Sequence, residues 1–232
     1  PPHVLSSAAS DVYKRQIMTS IAIIDYGMGN LHSIAKALEH VAGKERVIVS
    51  SQHAQILAAD RVVFPGVGAI RDCMTELRRS GLDAVVMRTA AEKPLLGVCL
   101  GMQALLDISE ENQGTDCLAI IPGKVVHFAN NMQDDVTGNR LKIPHMGWNQ
   151  VHQQNDHPLW SDIPTDSRFY FVHSYYALPE REEDIAAMTP YGIDFASVLA
   201  RENIFAVQFH PEKSQHAGLQ LLSNFVRWNG DT

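Results

Sequence analysis

Three short apolar runs in the first hundred residues each break on a glycine-bearing turn. This recurrence constrains the fold more than any bulk property does. Ile21-Ala22-Ile23-Ile24 enters Asp25-Tyr26-Gly27-Met28-Gly29-Asn30, residues 61–64 enter Pro65-Gly66-Val67-Gly68, and residues 95–98 enter Cys99 within Gly97-Val98-Cys99-Leu100-Gly101. The first run is β-branched and does not alternate, as expected of a strand buried on both faces. Helical segments separate the runs. Asn30 is placed to cap a helix whose apolar face is Leu31, Ile34, Ala35, Leu38 and Ala42, ended by Gly43. Residues 47–49 read as another strand, 69–80 as a helix stopped by Gly81, and 102–108 as a helix after Cys99. Strand and helix alternating in this way predict a parallel sheet covered on both faces.

The second half is richer in strands, at 124–128, 168–173, 185–189, 195–200 and 204–209, spaced closely enough for antiparallel additions. An amphipathic helix over 214–228 turns Leu219, Leu222, Phe225 and Val226 inward. With 232 residues and no repeat, low-complexity tract or linker, one core is expected. The expectation is a single flavodoxin-like, doubly wound α/β domain over residues 18–232, with a mixed, mostly parallel sheet. Residues 1–17 have neither apolar period nor signal-peptide core, whereas Met18 opens directly onto the first strand. They read as a non-native extension whose deletion should leave full activity.

The net charge of −7 lacks the basic excess that nucleic-acid binding requires. The longest apolar stretch, 94–108, is interrupted by Gly97, Gly101 and Gln103 and is too short to span a bilayer. Cys73, Cys99 and Cys117 form no CxxC pair, so a reduced, cytoplasmic setting is the simplest reading. The eleven histidines show no metal-ligand spacing, and neither metal nor cofactor is predicted.

Chemistry concentrates at two places. Cys99 sits between a strand and a helix with glycines two residues to either side, the arrangement of a nucleophile elbow. The helix N-terminus behind it is expected to favour the thiolate. Read alone, the motif also fits a buried structural cysteine. His210-Pro211-Glu212 follows the 204–209 strand, and extended alternation puts His210 and Glu212 on one side. An imidazole and a carboxylate so placed suit a base and its orienter, although the same tripeptide also fits a surface turn. The backbone of Pro65-Gly66-Val67-Gly68, with the Leu100 N–H, is a candidate oxyanion cradle; by itself it also fits a phosphate-binding or merely tight turn.

Assembled, these residues resemble the class I, triad-type glutamine amidotransferases, over about residues 18–228. Within them the chain is similar to the glutaminase subunits of imidazole glycerol phosphate synthases. The more specific segments are Asp25-Tyr26-Gly27-Met28-Gly29-Asn30, Pro144-His145-Met146-Gly147-Trp148-Asn149 and Phe171-Val172-His173-Ser174-Tyr175. Pro65-Gly66-Val67-Gly68, Gly97-Val98-Cys99-Leu100-Gly101-Met102-Gln103 and Gln208-Phe209-His210-Pro211-Glu212-Lys213-Ser214 also carry the resemblance and are shared more widely. The resemblance implies Cys99 as nucleophile, His210 as base and Glu212 as its orienter. It implies glutamine binding by Gln103 and Glu111, with Gly66, Ser174 and Tyr175 lining the pocket and the Val67 N–H as a mobile oxyanion donor. It also implies docking on a separate (β/α)₈-barrel cyclase in a heterodimer, through Met146, Trp148, Asn149, Tyr170 and Lys213, with Asn30 on the same side. The cyclase would use the ammonia to convert PRFAR to imidazole glycerol phosphate and an aminoimidazole carboxamide ribotide.

Plainer readings stand beside these. Gln103 fits a polar helix position, Ser174 and Tyr175 a strand end, Trp148 local packing and Asn30 a helix cap. Three other readings compete: the glutaminase of another biosynthetic amidotransferase, a stand-alone γ-glutamyl hydrolase, and an inactive binding module of the same fold, against which the intact Cys99, His210 and Glu212 argue.

Overall fold

The computed structural model describes residues 19–133 and 138–231. The expected N-terminal extension and Met18 lie outside the described residues, as do residues 134–137.

In chain order the elements are β1 (Ser20–Ile24), α1 (Leu31–Val41), β2 (Arg46–Ser50), α2 (His53–Ala58), β3 (Arg61–Gly66), α3 (Ile70–Ser80), α4 (Leu82–Glu92), β4 (Leu95–Cys99) and α5 (Leu100–Gln103). There follow β5 (Ile108–Ser109), β6 (Thr115–Asp116), β7 (Gly123–His127), β8 (His145–Gln150), β9 (His152–Gln153), β10 (Arg168–His173), β11 (Tyr175–Pro179), β12 (Ile185–Pro190), β13 (Asp194–Arg201), β14 (Ile204–Val207) and α6 (Gln215–Arg227).

The main sheet runs β2-β1-β3-β4-β14-β13-β11-β7-β5-β6. Its first five strands are mutually parallel, and β13, β11 and β7 continue it antiparallel. The mixed α/β architecture expected from the alternation is therefore present. Side chains divide by parity. Ile21, Ile23 and Val63 join a core layer with α1 and α6, while Ala22, Ile24, Val62 and Phe64 join another with α3 and α4. Alternate residues of a pleated strand face opposite ways, so a strand apolar at every position fills both layers.

Four expectations need correction. The helix after Cys99 spans only residues 100–103, not 102–108. Leu105 and Leu106 bond back to Met102 and Gln103 with tighter i→i−3 geometry, and the chain leaves to pair β5 with β7. Residues 168–173 do not extend the main sheet; β10 pairs with β8 in a separate two-stranded ribbon. The last parallel strand stops at Val207 rather than 209. Finally, α4 fills a stretch to which no element was assigned, burying Leu82, Val85, Val86 and Ala90 at helical spacing.

Candidate active site

β4 delivers Cys99 at its C-terminal end, in register with Gly66 of β3. The backbone there turns sharply, with Cys99 at φ 54° and ψ −109°. Such a conformation is unfavourable for an L-residue and persists only where the surroundings enforce it. Gly101 shows how closely they press. A Cβ at that position would lie 1.9 Å from the Phe64 carbonyl oxygen, so only glycine lets α5 begin against β3. The helix behind it has only four residues, too short for the large dipole expected there.

Cys99 lines a cavity of about 310 Å³ together with His210. Val67, Leu100, Gln103 and Glu111 line it from one end of the sheet, and Ser174 and Tyr175 from the β10–β11 junction. Gly66 is not in the lining. It lies underneath, where a Cβ would meet the Tyr26 hydroxyl at 2.6 Å. Tyr26 in turn donates to the Pro65 carbonyl at 3.0 Å and so braces the turn that carries Val67.

His210 Nδ1 and Glu212 Oε1 are 2.9 Å apart, and both side chains are 3% exposed. The link is a turn of 3₁₀ helix, Pro211–Lys213, rather than the extended alternation expected. Burial pushes the imidazole down, but the neighbouring Cys99 sulfur and the Glu212 carboxylate favour its charged form and raise it to about 10. His210 Nε2, the other ring nitrogen, is buried without a hydrogen-bond partner. Both other thiols are inert by contrast, since burial pushes Cys73 and Cys117 up to about 12.

The base is clasped to the ribbon. The His210 N–H donates to the Tyr170 carbonyl at 2.9 Å. The Tyr170 N–H donates to Ser214 Oγ at 3.0 Å, and that hydroxyl donates to the His210 carbonyl at 2.6 Å. Ser214 ends the Gln208–Ser214 segment, where the sequence alone suggests no role for it.

Gln103 is buried and spends its amide nitrogen inside the protein, donating to the Tyr175 carbonyl and to Gln208 Oε1. Only its Oε1 is left for the cavity. Glu111 caps α3, with Oε2 accepting the Ile70 N–H at 3.0 Å.

Of the residues expected at a docking face, Met146, Trp148, Asn149 and Tyr170 lie on the ribbon, Lys213 follows His210, and Asn30 precedes α1. Trp148 and Tyr170 are register partners with rings 6.1 Å apart, and the Lys213 ammonium lies 5.8 Å from the Tyr170 ring centre. Met146 is 61% exposed. Asn30 is exposed and also caps α1, its Oδ1 accepting the Ser33 N–H. Asn149 instead turns inward, donating to the Pro190 carbonyl and His145 Nε2. His145 Nδ1 lies 3.0 Å from His173 Nε2, and His173 Nδ1 lies 2.8 Å from the Tyr175 carbonyl. Burial pushes His145 down to about 4 and His173 to about 3, so both are neutral. Because a carbonyl only accepts, His173 carries its proton on Nδ1; Nε2 then accepts from His145 Nδ1–H.

A family model described as glutamine amidotransferase class-I matches residues 22–228. The chain is 62% identical to imidazole glycerol phosphate synthase subunit HisH of Nitrosococcus oceani, over 92% of this chain and 99% of that one. The subunit HisH 1 of Pseudomonas aeruginosa is 58% identical over the same shares. Among solved structures, PurLQS from Thermotoga maritima superposes with a TM-score of 0.67 at 12% identity, covering 91% of this chain and 99% of that one. That likeness is one of fold.

Proposed function

Because this chain belongs to the class-I glutamine amidotransferase family, we propose that Cys99, His210 and Glu212 split the side-chain amide of glutamine. The activity is that of the glutaminase subunit of an imidazole glycerol phosphate synthase, an enzyme of histidine biosynthesis. The observation that carries the assignment to these residues is the convergence of Cys99, on its strained turn, and the buried His210–Glu212 pair on one cavity.

The Cys99 sulfur attacks the carboxamide carbon, and the C–S bond forms as the carbonyl electrons move onto oxygen. The N–H groups of Leu100 and Val67 receive that oxyanion; the first residue of a helix has no intrahelical acceptor for its N–H. Imidazolium at His210, favoured by Glu212, gives its proton to the nitrogen as the C–N bond breaks and ammonia departs. A γ-glutamyl thioester remains. His210 then takes a proton from water, which attacks the thioester, and the sulfur leaves as glutamate forms. Gln103 Oε1 and the Glu111 carboxylate are acceptors suited to the α-ammonium of glutamine.

Ammonia released to water would be protonated and lose its nucleophilicity, so the product needs a receiving subunit. That subunit is taken to be a (β/α)₈-barrel cyclase, which docks as a heterodimer partner on Met146, Trp148, Asn149, Tyr170 and Lys213, beside Asn30. The cyclase converts PRFAR. The aromatic pair Trp148–Tyr170 on an exposed ribbon suits an interface anchor. No helix among the described residues is long and apolar enough to cross a membrane, and a cytoplasmic setting fits the three free thiols.

The test is glutamate release from glutamine by the chain alone, then with a cyclase subunit and PRFAR. Strong stimulation that vanishes in Cys99→Ala is expected. Rapid hydrolysis without the partner would overturn the partner-dependent reading, and full activity in Cys99→Ala would overturn the nucleophile.

A further inference from the structure

Gln208 is wholly buried directly after β14, and its Nε2 lies 3.7 Å from the Cys99 sulfur. We propose that Gln208 is a positioning residue for the nucleophile, its amide N–H aimed by Gln103 to hold the Cys99 sulfur in place as the anion. The proposal rests on the reading of Cys99 as nucleophile and adds a group not assigned to the reaction above.

The aim of the amide follows from counting hydrogens. Gln103 Nε2 carries two. One goes to the Tyr175 carbonyl at 3.0 Å and the other to Gln208 Oε1 at 2.9 Å. Turning the Gln103 amide over would set its oxygen against two acceptors. Turning Gln208 over would set two donors against each other and point an oxygen at the sulfur. Neither arrangement is tolerable in a buried site, so the network fixes both amides. Tyr175 cannot drift either, because its carbonyl also accepts from His173. The result is a donor committed to sulfur. A hydrogen bond to an ionised acceptor favours the ionised form. An amide does so without bringing a charge, so the His210 imidazolium stays free to serve the leaving nitrogen.

The experiment is the pH dependence of iodoacetamide alkylation of the whole chain, read by mass at Cys99. Cys73 and Cys117 contribute little, being buried and pushed up to about 12. Gln208→Met keeps the bulk and removes the donor. It is expected to raise the alkylation midpoint by about one pH unit, so that at any pH below the parent midpoint the reaction slows about tenfold. The plateau at high pH should be unchanged, as should the KM for glutamine, while kcat falls. General loosening of the site would instead move the plateau and KM. Gln103→Met leaves Gln208 free to turn and should shift the midpoint the same way by less. A wild-type midpoint in Gln208→Met overturns the proposal; if that variant does not fold, a wild-type midpoint in Gln103→Met does so. Cys99→Ala separates the two levels through glutamate release: undiminished turnover there would remove the nucleophile reading itself. A silent Cys99→Ala with an unshifted Gln208→Met removes only the role of Gln208.

Discussion

The nucleophile and its base reach one cavity from regions built on different principles. Cys99 ends a strand buried at every residue, paired on both sides, and seated where Gly101 meets Phe64 with no room to spare. His210 lies beyond the last parallel strand and is tied by hydrogen bonds to Tyr170 of a ribbon whose exposure alternates residue by residue. Backbone ladders and close packing fix the first group; a few directional side-chain bonds fix the second. The first arrangement fails as a unit, whereas the second can be adjusted in steps. An assembly that must answer to a partner is better adjusted on the base side, where the ribbon also presents Trp148 and Met146 to solvent.

The largest effect that would sharpen this contrast is on rate. Glu212→Gln is expected to lower glutamate release roughly 10²–10³-fold, the usual scale for general acid–base catalysis. Removing the carboxylate also weakens the hold on the His210 proton. The alkaline limb of kcat/KM, near pH 10 in the parent, should therefore move to lower pH. An unmoved limb would mean that Glu212 does not act through His210. On the core side, Gly101→Ala should cost about 3 kcal/mol in urea unfolding, because backbone rather than a flexible side chain blocks the new methyl. Stability within 0.5 kcal/mol of the parent would remove the close-contact account of the elbow.

Ser214→Ala cuts the clasp alone. About 1–2 kcal/mol of stability should be lost, and kcat should fall about tenfold while Cys99 alkylation is unchanged. Equal damage to both readouts would erase the distinction between the regions. The pH dependence of stability also divides by region. His145 and His173 are held at about 4 and 3, so the unfolded chain takes up protons that the native one refuses. Stability should fall as pH drops from about 6.5 towards 4, and His173→Gln should flatten that slope in thermal melts. His210 acts oppositely: its contribution is complete below about 6.5 and fades as pH rises through about 10. Smallest of all, Met146→Ala should leave unfolding within about 0.5 kcal/mol of the parent.

The two regions were also unequally legible. The parallel strands announced themselves because burial on both faces demands unbroken apolar runs, as in Ile21-Ala22-Ile23-Ile24. The ribbon did not. In β8 only His145 is fully buried, so no apolar alternation marks the strand. Leu105 and Leu106 misled in the other direction. They suit a continuing helix, yet they enter the core from a tight turn because the chain must reach β5. The α4 signal was present, with Leu82, Val85, Val86 and Ala90 at helical spacing, in a stretch given no element. Cys99, His210 and Glu212 stood out because strand ends and glycines framed them. Gln208 had no such frame, since its meaning depends on a sulfur 109 residues away in sequence.

The left-handed backbone at Cys99 has a consequence for how this chain tolerates change. Glycine adopts φ 54° readily, whereas cysteine is held there against its preference by about 1–3 kcal/mol. A glycine at position 99 would relieve that strain while deleting the thiol. Resistance to heat and chemical competence therefore pull in opposite directions at this residue. A screen that rewarded thermostability alone would favour Cys99→Gly, a protein that keeps the architecture and has lost the reaction.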